Sequence, residues 1–241
     1  MHIGYDTKQF EEDLKNLGIN LEERQLVQFM EYYEILAEWN SFMNLTAIID
    51  FYDVMKKHFI DSLSIVKAYE LSDQSVIDIG TGAGFPGIPL KIVFPGLKVT
   101  LLDSLNKRVK FLDEVIGKLG LENITAFHGR AEEYARQDKF RERYDLCVSR
   151  AVANLSTLSE YCIPFVKVGG KFISYKSEKL TEELSEAEHA VSMLGGKVEG
   201  QFDFYLPSSD IYRNMLVINK IRRTSGKFPR KAGIPAKEPL K

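Results

Sequence analysis

Residues 76–90, VIDIGTGAGFPGIPL, gather the residue types that a ligand-binding turn requires. An apolar run carrying Asp78 leads into Gly80, Gly82 and Gly84, and Phe85 and Pro86 are expected to begin a helix, since proline suits a first turn. Glycines allow a sharp turn and a close approach of backbone to ligand, and the helix amino terminus that follows offers unpaired N–H groups and a positive dipole end. An acid, Asp103, closes the next apolar run, LKVTLLD, where its carboxylate can accept the two hydroxyls of a ribose. After a third run, NITAFHG, the stretch Gly129-Arg130-Ala131-Glu132 places a small residue and an acid at a helix start, and the alternative reading of Glu132 taken alone is an acid stabilising that terminus. Arg150 follows the fourth run, YDLCVS, at the carboxyl edge where ligands of open α/β sheets collect.

Two cofactor classes fit this pattern. Gly82, Gly84 and Gly87 satisfy the dinucleotide fingerprint GxGxxG, and Asp103 stands where the ribose-binding acid of such a site belongs. The stretch Gly80-Thr81-Gly82-Ala83-Gly84, preceded by apolar-Asp-apolar, more closely resembles the first motif of S-adenosylmethionine-dependent methyltransferases. A dehydrogenase would also need a substrate domain with a proton donor, and too little chain follows Arg150 to supply one.

Basic residues stand where helix electrostatics alone would not put them. Lys107 and Arg108 fall in the first turn after Asp103, against the macrodipole by about 0.3–1 kcal/mol each, which predicts a compensating anion such as RNA phosphate. Arg130 repeats the pattern, and Lys176, after the fifth strand, and Arg213, in the final hairpin, are further RNA candidates. For all five the alternative is solubilising charge.

The elements that must position these residues follow from periodicity. Residues 1–70 read as a helical cap: Leu26, Phe29, Tyr33 and Leu36 form one apolar stripe, and Phe59, Leu63 and Val66 another. No strand signal precedes residue 75. Short apolar runs then alternate with amphipathic segments such as the one bearing Val109, Leu112, Ile116 and Leu119, which implies a mostly parallel sheet with helices on both faces. After a helix from about Glu178 to Leu194, KVEGQFDFYLP and RNMLVINKI look like a closing antiparallel pair. The expected divisions are a cap over 1–70, a cofactor-binding domain over 71–221 and a basic tail over 222–241. His58 and Asp61 read as packing and hydrogen-bonding residues between cap and core.

With 44% hydrophobic and 27% charged residues, the 241-residue chain has an ordinary globular composition. No run suits a membrane span and the first residues do not read as a secretory leader, so a cytoplasmic location is expected. Cys147 and Cys162 sit in apolar surroundings and are expected to be buried, inert thiols. The four histidines lack metal-binding spacing, so an organic cofactor and no metal are expected. From Lys220 onward eight basic residues face one acid, Glu238, although the whole chain carries 32 basic and 34 acidic residues. A mildly acidic body therefore ends in a basic segment, read as either a solvated terminus or a phosphate-binding arm.

In order, EYYEILAEWNSFMNLTAI, KHFIDSL, VIDIGTGAGFPGIPLKIVFP, LLDSLNKRVKFL, GRAEEY, SRAVANL and KFPRKAGIPAKEPL resemble the segments of the bacterial small-subunit ribosomal RNA guanine-N7 methyltransferase family, formerly called glucose-inhibited division protein B. The resemblance covers nearly the whole chain. It implies a Rossmann-like class I methyltransferase, α/β with a mostly parallel seven-stranded sheet, that uses S-adenosylmethionine to methylate N7 of a guanine in the 530 loop of 16S ribosomal RNA. It further implies cofactor contacts at Gly80, Phe85, Ala131, Glu132 and Arg150, to which the glycine-loop and ribose arguments add Gly82 and Asp103. The partner is 16S RNA or the small subunit, with no membrane, and the protein is expected to be a monomer. Guanine N7 carries an in-plane lone pair and no proton, so positioning should suffice without a general base, with Arg150 the candidate for orienting substrate. DLCVSRAVANL lacks the Asn-Pro-Pro-aromatic turn used for exocyclic amines and the Pro-Cys nucleophile used for cytosine carbon.

Overall fold

The computed structural model describes residues 4–150, 153–177 and 181–241. His2, Ala151 and Val152 of SRAVANL, and the first three residues of the helix expected from Glu178 lie outside these.

The amino-terminal cap holds α1 (Lys8–Asn16) and α2 (Glu23–Met43). A continuous helical segment follows, made of α3 (Phe51–Val54), a π-helical turn (Met55–Ile60), α4 (Asp61–Leu63) and a 3₁₀ turn (Ser64–Lys67). The buried stripe of α2 contains Phe29, Tyr33 and Leu36 as the spacing predicts, and adds Tyr32, fully buried within the same face. Phe29 and Tyr32 pack on Phe59 with ring centroids 5.0 and 5.2 Å apart, which joins the two helical segments into one unit.

The sheet contains β1 (Ser75–Ile79), β2 (Lys98–Asp103), β3 (Ile124–His128), β4 (Tyr144–Ser149), β5 (Val166–Lys176), β6 (Gly196–Tyr205) and β7 (Tyr212–Lys220). Their order is β3-β2-β1-β4-β5-β7-β6, with the first five strands parallel and β7 antiparallel to both neighbours. Successive residues of the central strands alternate between two apolar clusters. Val76, Leu101, Leu146 and Val148 join the cap, α5 (Gly87–Val93) and α6 (Asn106–Lys118) on one face. Ile77, Leu102 and Cys147 join α8 (Leu155–Cys162) and α9 (Thr181–Met193) on the other. Burial on both faces is why these strands read as short apolar runs. The chain reverses its direction of travel across the sheet between β1 and β4, so a crevice opens beyond their carboxyl ends. Cys147 and Cys162 are buried free thiols, and among the described residues no helix is long and apolar enough to cross a membrane.

The basic carboxyl-terminal segment lies along the body, unlike a solvated terminus. Buried Lys220 reaches Ile163 O at 2.9 Å, and Arg141 donates to Thr224 O, Ser225 O and Phe228 O at 2.8, 3.1 and 2.9 Å. Phe228 and Leu240 pack against the second apolar cluster, and a last turn, α10 (Ile234–Lys237), lies on α8. The composition showed the charge of this segment but not these partners, which come from distant parts of the chain.

Candidate functional site

The glycine loop is fixed from beneath. Gly80, Gly82 and Gly84 all have positive φ, of 70°, 62° and 91°, a conformation that side chains with a Cβ adopt at a cost. A Cβ at Gly84 would also lie 2.6 Å from the Tyr32 hydroxyl, so at this point loop and cap meet with no room for a side chain. That hydroxyl donates to Ala83 O. Sequence periodicity treats Tyr32 as part of an apolar face; the signal for its role was that a buried tyrosine hydroxyl must find an acceptor. Pro86 precedes α5 at its cap rather than lying within its first turn, and the Phe85–Pro86 peptide is cis.

Asp78 is fully buried below the loop. Its Oδ2 accepts from the Thr81 hydroxyl at 2.7 Å and from Gly87 N–H at 2.9 Å, while Oδ1 has no hydrogen-bond partner. Burial pushes its pKa up to about 7, against the opposing pull of the Thr81 and Gly87 hydrogen bonds and of the Arg150 charge. An orphaned carboxylate oxygen under a glycine cradle suits a cationic group bound above it.

Asp103 is 2% exposed and largely occupied by the protein itself. Its Oδ1 accepts from Leu105 N–H at 2.9 Å, and its Oδ2 accepts from Gly82 N–H at 2.9 Å and Arg108 Nη1 at 3.3 Å. A carboxylate has about four acceptor sites, so three protein donors leave about one for a ribose hydroxyl rather than the two expected. The same geometry corrects the expected anion for Arg108. The charge compensating it is the Asp103 carboxylate, brought close because β2 ends and α6 begins within a few residues.

Beyond Asp103 a cleft of about 200 Å³ is lined by Gly80, Leu102, Gly129, Arg130, Ala131 and Glu132, with Leu158 and Tyr161 of α8 closing it. A volume below the roughly 300–1,000 Å³ usual for a whole ligand suits one ring system, with the rest of a longer cofactor running out over the loop. Glu132, in the first turn of α7 (Ala131–Tyr134), is 5% exposed, and its Oε1 accepts from Gly233 N–H at 2.9 Å. Gly129 is required by space: a Cβ there would meet the Tyr134 ring at 2.2 Å. Leu158 and Tyr161 were not singled out from sequence, because nothing local to them marks α8 as a wall of this cleft.

Phe85 and Arg150 lie at the other end. Phe85 is 7% exposed and stacks on His58, with centroids 4.4 Å apart and planes at 16°, while the Arg150 guanidinium lies 5.7 Å from the Phe85 centroid. Arg150 donates to Lys57 O, His58 O and the Ser62 hydroxyl and pairs with Asp61 at 3.2 Å. His58, whose Nε2 lies 2.9 Å from the Thr46 hydroxyl, is held neutral by burial and by the Arg150 charge, which bring its pKa down to about 4. His58 and Asp61 thus join cap to core, as their chemistry in KHFIDSL suggested.

The RNA candidates divide. Lys107 and Arg130 are exposed at the crevice rim, and Lys107 Nζ lies 3.4 Å from Met43 O. Lys176 bonds to Ala153 O at 3.0 Å and pairs with Glu183 at 2.8 Å; Arg213 pairs with Asp61 at 2.7 Å. These last two charges are engaged inside the protein, a use that position along the chain could not disclose.

Residues 25–205 match the family model for rRNA small subunit methyltransferase G. The chain is 54% identical to the ribosomal RNA small subunit methyltransferase G of Lachnoclostridium phytofermentans over 98% of both chains. It is 54% identical to that of Alkaliphilus metalliredigens over 94% of this chain and 95% of the relative. Among solved structures, M. jannaschii TYW2 in complex with AdoMet aligns with a TM-score of 0.51 at 18% identity, covering 65% of this chain and 73% of that one, a likeness of fold. With a glycine-loop crevice on a seven-stranded sheet, a family match over most of its length and relatives at this identity across nearly all of it, the chain belongs to the rRNA small subunit methyltransferase G family.

Proposed function

We propose that the protein is a cytoplasmic S-adenosylmethionine-dependent methyltransferase that modifies N7 of a guanine in the 530 loop of 16S ribosomal RNA. The observation that carries this reading is one crevice, in a chain of this family, where the cradle over Asp78, the Asp103 carboxylate and the Glu132 cleft lie along the same sheet edge. Its residues suit the cofactor. Gly129, Ala131 and Glu132 would hold the adenine ring, Asp103 a ribose hydroxyl, and Gly80 and Gly82 the backbone-facing side of the methionine portion, with Asp78 opposite its cationic groups. When bound, the cofactor supplies an electrophilic methyl group.

The remaining work is positioning. Guanine N7 presents a lone pair in the ring plane, so the chain needs no side chain to remove a proton. Fixing the two reactants in line can contribute about 7 kcal/mol in well-oriented cases. Arg150 serves this end indirectly: held by Asp61, Ser62 and two carbonyls, it fixes Phe85 and the cap edge beside which the base would lie. Lys107 and Arg130, both exposed, would take RNA phosphates.

The test is to incubate purified protein and labelled cofactor with small-subunit particles from a strain lacking the modification. Label in 16S RNA at a site sensitive to N7-specific strand scission is the expected result. Label confined to small molecules or protein, or a modified guanine that resists scission, overturns the reading.

A further inference from the structure

Glu132 is a wall of the cleft, but the group that holds it comes from the other end of the chain. Gly233 N–H donates to Glu132 Oε1 at 2.9 Å. Gly233 has φ +84°, and a Cβ built there meets nothing within 4 Å, so backbone conformation rather than space requires glycine.

Anchors on α8 lie to either side of this contact. On one side, Arg230 grips the fully buried Glu160: Nε lies 3.0 and 3.1 Å from its two oxygens, Nη2 lies 2.7 Å from Oε2, and Arg230 N–H reaches Oε1 at 2.6 Å. On the other side, Pro235 O accepts from the buried Thr157 hydroxyl at 2.9 Å. The helix carrying Thr157 and Glu160 also supplies Leu158 and Tyr161 to the cleft. One short segment therefore ties the start of α7 to α8, the two elements that supply cleft walls. A carboxylate as buried as Glu160 needs a charged partner, and Arg230 meets that need only when the segment is in place.

We propose that residues 228–237 form a strap that positions Glu132 for the cofactor's nucleoside, with Arg230, Glu160, Thr157 and Gly233 as positioning residues that do not themselves touch the cofactor. The proposal rests on reading the Glu132 cleft as the nucleoside end of the site. If only the strapped form presents Glu132 correctly, apparent affinity falls in proportion to the strapped fraction. The loss must pass through Glu132, which separates positioning from general stability.

The experiment is a double-mutant cycle on the full-length protein, read as the dissociation constant for S-adenosylhomocysteine by calorimetry. Arg230→Ala is expected to weaken binding about tenfold. In a Glu132→Ala background the same change should cost less than about twofold, because the group it acts through is gone. Equal costs in both backgrounds overturn the proposal, since a general structural effect would not depend on Glu132. Should Arg230→Ala fail to fold, Gly233→Ala closes the same cycle, deleting no contact and placing its Cβ in open space, with Gly226→Ala, also unobstructed, as the control that keeps wild-type affinity. An unchanged affinity in every folded strap variant likewise overturns it. A wild-type protein that binds no S-adenosylhomocysteine overturns the cleft reading and the strap with it, a result distinguished by appearing before any substitution is made.

Discussion

The two ends of the crevice are built by different means. At the glycine loop the partners are close in sequence or rest on the adjoining cap: Thr81 and Gly87 bond to Asp78, and Tyr32 bonds to Ala83. At the Glu132 end, the walls come largely from α7 and α8, and Glu132 itself is held by Gly233, 101 positions later in the chain. The first end should stay formed whenever the sheet is folded. The second is expected to open more readily, because the segment that holds Glu132 is fixed by side-chain anchors and by the packing of Phe228 and Leu240 rather than by strands.

Gly84→Ala would break the rigid end. The alanine must adopt a left-handed conformation and overlap the Tyr32 hydroxyl and Ile88, and the two penalties together are expected to cost about 4 kcal/mol in urea unfolding, with cofactor binding lost. Arg230→Ala would instead loosen the other end. Leaving Glu160 buried and unpaired is expected to cost about 3 kcal/mol, and hydrogen exchange should quicken at residues 129–134 and 224–240 while the glycine loop and cap keep their protection. Equal acceleration at the glycine loop would erase the distinction between the ends.

A smaller effect tests the electrostatics of the rigid end. Because burial pushes Asp78 up to about 7, acid conditions leave it protonated, and a cationic ligand must drive the proton off. Affinity for S-adenosylmethionine should therefore rise with pH, by at most about tenfold per unit below 7, and level off above it. Asp78→Asn should flatten that profile in calorimetry from pH 6 to 8. A wild-type profile that is already flat would remove Asp78 from the site. The smallest expected change is Lys107→Ala, which should weaken RNA binding and lower the steepness of its salt dependence by about one phosphate contact while leaving S-adenosylhomocysteine affinity untouched.

Legibility from sequence followed the same division. The strands, their alternation with helices and the final antiparallel pair were readable because a strand buried on both faces must be a short apolar run. The glycine loop was readable because positive φ values demand glycine within a few adjacent positions. Arg108 was noticed for opposing the helix dipole, but its partner proved to be Asp103, five residues away. Lys176 and Arg213 are RNA candidates by position in the sequence, whereas in the fold Glu183 and Asp61 hold them. In each case the residue type told of a charge needing a partner, and only folding chose the partner.

The amino-acid order by itself determined the cradle, the sheet and the acids at its edge, since those depend on local conformation and on which side chains leave water. Tertiary structure alone decided that Tyr32 supports the loop, that Leu158 and Tyr161 line the cleft with Glu132, and that the basic carboxyl-terminal segment bonds to Glu132 and α8 instead of standing free. Hydrophobic periodicity records burial without naming a neighbour, whereas a hydrogen bond or buried ion pair exists only once distance and direction are set by the whole fold.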